Sequence, residues 1–182
     1  IPIWHKGIFI MATNLQFIKS VSGASSSSSL SITNVFSAQY EVYVITYKCV
    51  SDTSSPKGVN LRLINSSDTI ITNSNYDYAS LQMYTHTSFT EYKNTNQTSF
   101  SAMLHYADLA PEGAYGKFEL YNPFTSSYTF MTQQGGGAHN GEEAGYKGIG
   151  VLTETTSCTG FNVFLSSTEL DVGTEFNVYG VK

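Results

Sequence analysis

The chain has 182 residues and a mass of 19.9 kDa, which suits one domain with a single core. Its net charge is −5, only 13% of its residues are charged, and its nine Lys and Arg residues are scattered singly, so we expect no nucleic-acid partner. No apolar run approaches the roughly eighteen residues of a membrane span, so we expect no membrane contact.

The first ten residues, IPIWHKGIFI, are apolar but short, and they lack the features of a signal peptide. The next segment, MATNLQFIKS, reads like a translation start at Met11. We therefore interpret residues 1–10 as an N-terminal extension or as the tail of a processed upstream segment. Residues 11–182 are interpreted as a single β-sandwich domain.

The first clear strand signals lie between residues 29 and 50. SLSITNVF alternates Leu30 and Ile32 with Ser and Thr, the period-two pattern of a half-buried strand. YEVYVITYKCV, residues 40–50, is apolar on both faces. This pattern predicts a central strand that is covered on both sides.

Two further strands are predicted in the middle of the chain. VNLRLI places one set of apolar side chains on a single face: Val59, Leu61 and Leu63. SFSAMLHY likewise predicts a strand with four inward side chains: Phe100, Ala102, Leu104 and Tyr106.

Strand signals continue at intervals of about ten residues to the end of the chain. They are GKFELY (Phe118, Leu120), SYTFMT (Tyr128, Phe130), GIGVLTET, GFNVFLSS and TEFNVYGVK. Turn residues separate them, and no window shows the apolar spacing of an amphipathic helix. The sequence therefore predicts an all-β, antiparallel β-sandwich that is jelly-roll-like.

The segment QQGGGAHNGEEAGYKG, residues 133–148, is the strongest candidate for site chemistry. His139 and Glu142 have the spacing of a metal-binding pair, with Glu143 beside them. The surrounding glycines do not hold this pair in a fixed geometry, and no second His or Cys lies at ligand spacing. We therefore predict no metal site, and we interpret the segment as the long, mobile tip of a hairpin.

Catalytic residues are not indicated elsewhere. His5, His86 and His105 have no accompanying nucleophile motif. Glu119 and Glu175 are predicted to face outward from their strands, which does not form a carboxylate pair. We predict a protein that is not an enzyme, with no catalytic, cofactor-binding or metal-binding residue and no cofactor.

Six tyrosines in the middle third of the chain form the more plausible functional surface. Aromatic rings on loops can stack on sugars or anchor protein interfaces, while packing at sheet ends is the alternative. They are Tyr76, Tyr78, Tyr84, Tyr92, Tyr106 and Tyr115.

The two cysteines, Cys49 and Cys158, are too few for a disulfide scaffold. They could pair if their strands are neighbours. The favoured interpretation is two buried free thiols.

Three parts of the chain carry a family resemblance: residues 11–47, the VNLRLINSSDTI and YDYAS segments, and GFNVFLSS followed by GTEFNVYGVK. In these strand patterns the chain resembles small virion structural proteins of tailed bacteriophages, of the marine-phage type. Such proteins are β-sandwich or jelly-roll domains, often trimeric. They act as capsid decorations, head fibres or tail components, and the resemblance implies no catalytic residue.

The resemblance implies a non-enzymatic virion structural protein, a capsid decoration (cement) or head-fibre protein that binds and stabilises the shell. Its partners would be other copies in a homotrimer and other virion proteins, either the major capsid protein or tail proteins. Its location would be the capsid or tail surface of the virion. The alternative is a carbohydrate-binding, receptor-recognition module at a tail-fibre or spike tip, with a host surface glycan as its ligand.

Overall fold

The computed structural model describes residues 14–86, 89–101, 104–139 and 142–182, with only the backbone of His139 and Glu142. Twelve strands lie in these ranges. They are β1 (Leu15–Ser22), β2 (Leu30–Ile32), β3 (Val42–Cys49), β4 (Lys57–Asn65), β5 (Tyr76–Tyr84), β6 (Thr90–Gln97), β7 (Tyr106–Ala107), β8 (Ala114–Tyr121), β9 (Thr129–His139), β10 (Glu142–Leu152), β11 (Cys158–Leu165) and β12 (Glu175–Val181). Across these same ranges, no helix that could cross a membrane is found.

The strands form two antiparallel sheets that pack as a sandwich. The large sheet has eight strands in the order β1-β12-β3-β8-β9-β10-β5-β6, and the small sheet has four in the order β2-β11-β4-β7. All of the strand pairs in both sheets are antiparallel. The prediction of an all-β antiparallel sandwich is confirmed.

The connectivity is that of a jelly roll with two added hairpins. Without β5–β6 and β9–β10, the remaining strands lie in the order first, eighth, third, sixth in one sheet and second, seventh, fourth, fifth in the other. The two hairpins then extend the large sheet beyond β8, because β9 pairs with β8 and β10 pairs with β5. We call these four strands the extension.

The core between the sheets is centred on aromatic rings. Phe161 of the small sheet lies 5.5 Å from Phe118 and 5.8 Å from Phe176 of the large sheet, measured between ring centroids. All three side chains are fully buried. Edge-to-face packing of this kind adds to the free energy gained from burying the rings.

The prediction of a strand at SFSAMLHY is largely wrong, because among its described residues only Tyr106, where β7 begins, lies in a strand. The segment instead crosses from one sheet to the other, and the positive φ of 78° at His105 interrupts any extended alternation. Phe100 is fully buried, 4.8 Å from Tyr76 between ring centroids. The segment thereby covers the inner face of the extension; Ala102 lies outside the described residues.

The interpretation of QQGGGAHNGEEAGYKG as a long mobile tip is also wrong. β9 and β10 pair continuously from Thr129 and Leu152 up to His139 and Glu142. A Cβ atom on Gly135 would collide with the hydroxyl of Tyr47, and one on Gly116 would lie 2.7 Å from the same oxygen. These glycines therefore make room for the Tyr47 hydroxyl, which donates to the carbonyl oxygen of Leu104 at 2.8 Å.

Candidate binding surface on the outer face of the large sheet

The outer face of the large sheet carries two adjacent rows of mostly apolar side chains. The strand register aligns the first row as Leu15, Val181, Val42, Tyr121, Phe130 and Val151, and the second as Phe17, Tyr179, Val44, Glu119, Thr132, Ile149 and Ala79. The first row spans six strands and the second spans seven, so they are about 24 Å and about 29 Å long, and together they are about 14 Å wide. Contiguous apolar patches of a few hundred Å² on monomeric proteins are often functional surfaces.

On the jelly-roll half of the sheet these rows form what we call the apolar patch. It consists of Leu15, Phe17, Val42, Val44, Tyr179 and Val181 on β1, β3 and β12. Phe17 is 57% exposed and Leu15 is 47% exposed. The Phe17 ring packs edge-on against Tyr179 at 5.7 Å, so these side chains form one continuous surface.

On the extension and the neighbouring β8, the same outer face forms an open groove that crosses β8, β9, β10, β5 and β6. It has a volume of about 710 Å³ and continues into a second depression of about 450 Å³. Its floor is formed by short or apolar side chains, among them Ala79, Leu81, Phe130, Thr132 and Ile149. Phe130 is 50% exposed and Ile149 is 63% exposed, so the floor is open to a ligand.

Charged side chains also line the groove: Lys93, Lys117, Lys147, Glu91 and Glu119, with Asp77 in the second depression. Lys117 Nζ donates to Glu119 Oε1 at 3.0 Å, and the Tyr121 hydroxyl donates to Glu119 Oε2 at 2.6 Å. The Tyr121 hydrogen bond, followed by that from Lys117, lowers the pKa of the Glu119 carboxyl. The carboxylate and the ammonium group are therefore held in place as an ion pair at neutral pH.

The six predicted tyrosines lie on strands and not on loops, so that part of the prediction is wrong. Tyr76 and Tyr78 are buried and Tyr84 and Tyr106 are half-buried, which matches the packing alternative. Tyr92 and Tyr115 are exposed; Tyr92 lines the groove, and the buried Tyr78 lines its second depression. The sequence of β5, YDYASLQMY, does alternate with period two, and its tyrosines lie on the inner face of the sheet.

The predicted chemical residues do not gather into one site. The side chains of His139 and Glu142 lie outside the described residues, and Glu143 accepts a hydrogen bond from Thr85 Oγ1 at 3.1 Å. His86 is exposed just after β5, whereas His105 is buried before β7; His5 lies outside the described ranges. Over the part of the chain that the structure describes, no three His, Cys, Asp or Glu side chains cluster as metal ligands.

The carboxylate and cysteine predictions have clear outcomes. Glu119 and Glu175 both face outward from the large sheet, as predicted. Cys49 and Cys158 are free and buried, which confirms the favoured interpretation.

The groove residues were not predicted from the sequence. SYTFMT was predicted as a strand from its apolar residues Tyr128 and Phe130, but both are exposed, and the buried side chains are Thr129 and Met131. In GIGVLTET, Ile149 faces solvent while Gly148 and Gly150 face inward, where Phe100 lies against Gly150. The available signal in the sequence was a large apolar residue between two glycines, because the glycines leave room on the inner face for another side chain.

In comparisons with known proteins, no family model matches the chain, and neither a curated protein nor a solved structure matches it.

Proposed function

We propose that the chain is a non-enzymatic structural protein of a tailed-phage virion, a capsid decoration or head-fibre protein, that acts by binding other proteins. The observation that supports this proposal is the apolar patch on the outer face of β1, β3 and β12. The opposite face of these strands already packs on the small sheet, so the patch contributes nothing to the core. An exposed apolar surface on a rigid sheet is typical of a protein interface.

The patch is the surface through which copies of the chain would associate as a homotrimer. Phe17, Leu15 and Tyr179 supply the large side chains that anchor interfaces, and they are held in register because β1 pairs with β12. Such an oligomer would bind the assembled shell and not its separate subunits. Its binding would therefore stabilise the assembled state by mass action.

The test of this function is the copy number of the chain in purified particles of the phage that encodes it. Quantitative mass spectrometry should find the chain in the particle, with hundreds of copies for a decoration protein and six or twelve for a tail or portal-vertex component. Particles that contain none of the chain would overturn the proposal.

The groove favours a second candidate function, recognition of a surface glycan. It combines an exposed ring, Phe130, with the ion pair of Lys117 and Glu119, whose carboxylate also accepts a hydrogen bond from Tyr121. Sugar rings bind through stacking on aromatic faces and through hydrogen bonds to their hydroxyls. Screening the chain against a broad glycan panel tests this candidate, and silence across the panel would overturn it.

A further inference from the structure

We propose that the open edge of β6 pairs with the same edge of a second copy of the chain, in antiparallel orientation, around a two-fold axis at Tyr92. The partner is therefore this chain itself, and the pairing joins two eight-stranded sheets into one continuous sheet. The pairing does not depend on the proposed function or on the apolar patch, which lies at the other end of the large sheet.

β6 ends the large sheet, and its outer edge is open. Among the described residues it pairs with β5 alone. Alternate residues of such an edge point their backbone N–H and C=O groups away from the sheet, where a further strand can bind them. The eight residues of β6 include no proline, so this edge can serve as a template for another strand.

The regular part of β6 is centred on Tyr92. Its pairing with β5 is regular from Thr90 to Asn94, and the irregularity comes after this stretch, near Asn96, whose φ is 55°. The other three edges are less suited, because β2 and β7 have only three and two residues and the register of β1 contains a shift. Two copies that pair along the whole regular stretch of β6 place Tyr92 on the axis.

The charges of β6 select the same register. Glu91 and Lys93 are exposed and line the groove on the outer face. In an antiparallel pair centred on Tyr92, Glu91 of each copy lies opposite Lys93 of the other, so two opposite-charge pairs form. A register centred on either charge would instead place like charges opposite each other. Charges on an edge strand usually prevent pairing, but these two are self-complementary in one register.

Two exposed aromatic side chains also lie at this edge. Tyr92 is 41% exposed, and Phe89, which precedes β6, is 67% exposed. On the axis Tyr92 meets its counterpart in the other copy, and cross-strand aromatic pairs stabilise antiparallel sheets. Phe89 lies at the end of the paired stretch, where the other copy can cover it. Pairing therefore buries apolar surface that a single copy leaves exposed.

The interface is small, because only a short strand of each copy takes part. It buries less than the about 1,200 Å² of a standard interface, so we expect a weak dimer that forms at protein concentrations of about 0.1 mM and above. Exposed ion pairs add little affinity. The role of Glu91 and Lys93 is therefore to fix the register and the partner, while the backbone hydrogen bonds hold the strands together.

Sedimentation velocity tests the pairing in the Phe17→Lys chain, in which a charge on the apolar patch removes association through that surface. We expect a reversible equilibrium between monomer and dimer as the concentration rises to about 1 mM. A chain that stays monomeric over this whole range would overturn the pairing.

Charge reversals in the same background identify the edge. Glu91→Lys and Lys93→Glu each place like charges opposite each other, and each should weaken dimerisation by about 10-fold or more at low salt. An equimolar mixture of the two variants should dimerise like the unreversed chain, because opposite charges again face each other in the heterodimer. Glu112→Lys, an exposed charge reversal in the turn before β8, is the control and should have no effect.

A cysteine at Tyr92 tests the position of the axis, in both the parent and the Phe17→Lys chain. On the axis, the Tyr92→Cys thiol meets its own counterpart, so mild oxidation should give a disulfide-linked dimer. Thr95→Cys, three residues from the axis, should not link to itself. The native thiols are buried and do not compete.

Each contrary result has a distinct meaning. Dimerisation that neither charge reversal weakens would overturn β6 as the interface. Variants that are each weakened but do not recover when mixed would overturn the register, as would a disulfide that forms equally well from Thr95→Cys. None of these results bears on the apolar patch, and the copy number in particles would still decide the structural role separately.

Discussion

Cys49 and Cys158 show how fully individual side chains are enclosed in this sandwich. Both thiols have no exposed surface. Burial, and secondarily the charge of Glu154, raises the pKa of Cys158 to about 12. Burial also raises the pKa of Cys49 well above its usual range. Neither residue forms the reactive thiolate at neutral pH.

We therefore predict that the native protein does not react with a thiol reagent such as DTNB at pH 8. Both cysteines should react at once in denaturant, which serves as the control for reagent and protein concentration. Rapid modification of a thiol in the native state would contradict the burial of these residues.

Gly135 allows β9 to pack closely against the side chain of Tyr47. An added Cβ would collide with the Tyr47 hydroxyl and lie 2.6 Å from the carbonyl oxygen of Tyr115. Gly135→Ala should therefore destabilise the fold by about 1–3 kcal/mol, the usual cost of overpacking, as measured by denaturant unfolding. We would consider the close packing disproved if the variant were as stable as the parent.

The matched control for this substitution is Gly145→Ala on β10. Its added Cβ would meet the flexible end of Met83 at 3.3 Å, which can move aside. We expect a change within about 0.5 kcal/mol, or slight stabilisation from the reduced entropy of the unfolded chain.

At the scale of strands, a tyrosine hydroxyl joins the two sheets. Tyr76 on β5 accepts a hydrogen bond from the Leu63 N–H on β4 at 3.0 Å and donates one to the carbonyl oxygen of Ile71 at 3.0 Å. Its side chain is fully buried. Removing the hydroxyl leaves two buried backbone groups without this partner.

Tyr76→Phe should therefore lower the free energy of unfolding by about 1–3 kcal/mol. Tyr128→Phe, at a tyrosine that is 45% exposed, is the control and should change stability by less than about 0.5 kcal/mol. Chemical denaturation of both variants measures the difference, and equal stabilities would show that the hydroxyl does not link the sheets.

Strands whose inner face is aliphatic or aromatic were predictable from the sequence. β4, β8 and β12 alternate apolar residues with period two, and β3 is apolar on both faces; the structure places all four as strands. The prediction that β3 is covered on both sides is wrong, because Val42 and Val44 on its outer face are half-buried in the apolar patch. β6 could not be found this way, because TEYKNTNQ at the edge of the sheet has almost no buried side chain. β9 and β10 were missed in part because their glycines serve packing, whereas glycine in a sequence usually signals a turn.

The groove was beyond prediction for a different reason. Its floor depends on the pairing of β10 with β5, which are separated in sequence by β6 through β9. No local pattern reports which distant strand will be the neighbour. Lys93, Lys117 and Lys147 therefore appear as isolated charges in the sequence, and only the register places them along one surface.

For the whole molecule, the apolar patch predicts self-association. Purified chain should have the mass of an oligomer, a trimer under the proposed function, by size-exclusion chromatography with light scattering. Phe17→Lys should shift it to the monomer, because a charge would be buried without a partner at the interface. Phe17 is 57% exposed in the single chain, so the fold itself should tolerate the substitution.

Val172→Lys is the control for that experiment. Val172 is 63% exposed but lies in the turn before β12, away from the patch. We expect it to leave the mass unchanged. A parent chain that is monomeric at all concentrations would contradict the assignment of the patch as an interface between copies.

The position of β12 has a consequence for how the chain is made. β12 lies between β1 and β3 and is hydrogen-bonded to both, yet it is synthesised more than a hundred residues after them. Until Val181 has left the ribosome, β1 and β3 each have an open edge and their hydrophobic residues have no complete core. Folding of the jelly roll must therefore wait until β12 has been synthesised, and contacts of such long sequence separation make it slow. A nascent chain stalled before residue 175 should be held by chaperones and digested by protease, while the same chain carried past residue 181 should resist both.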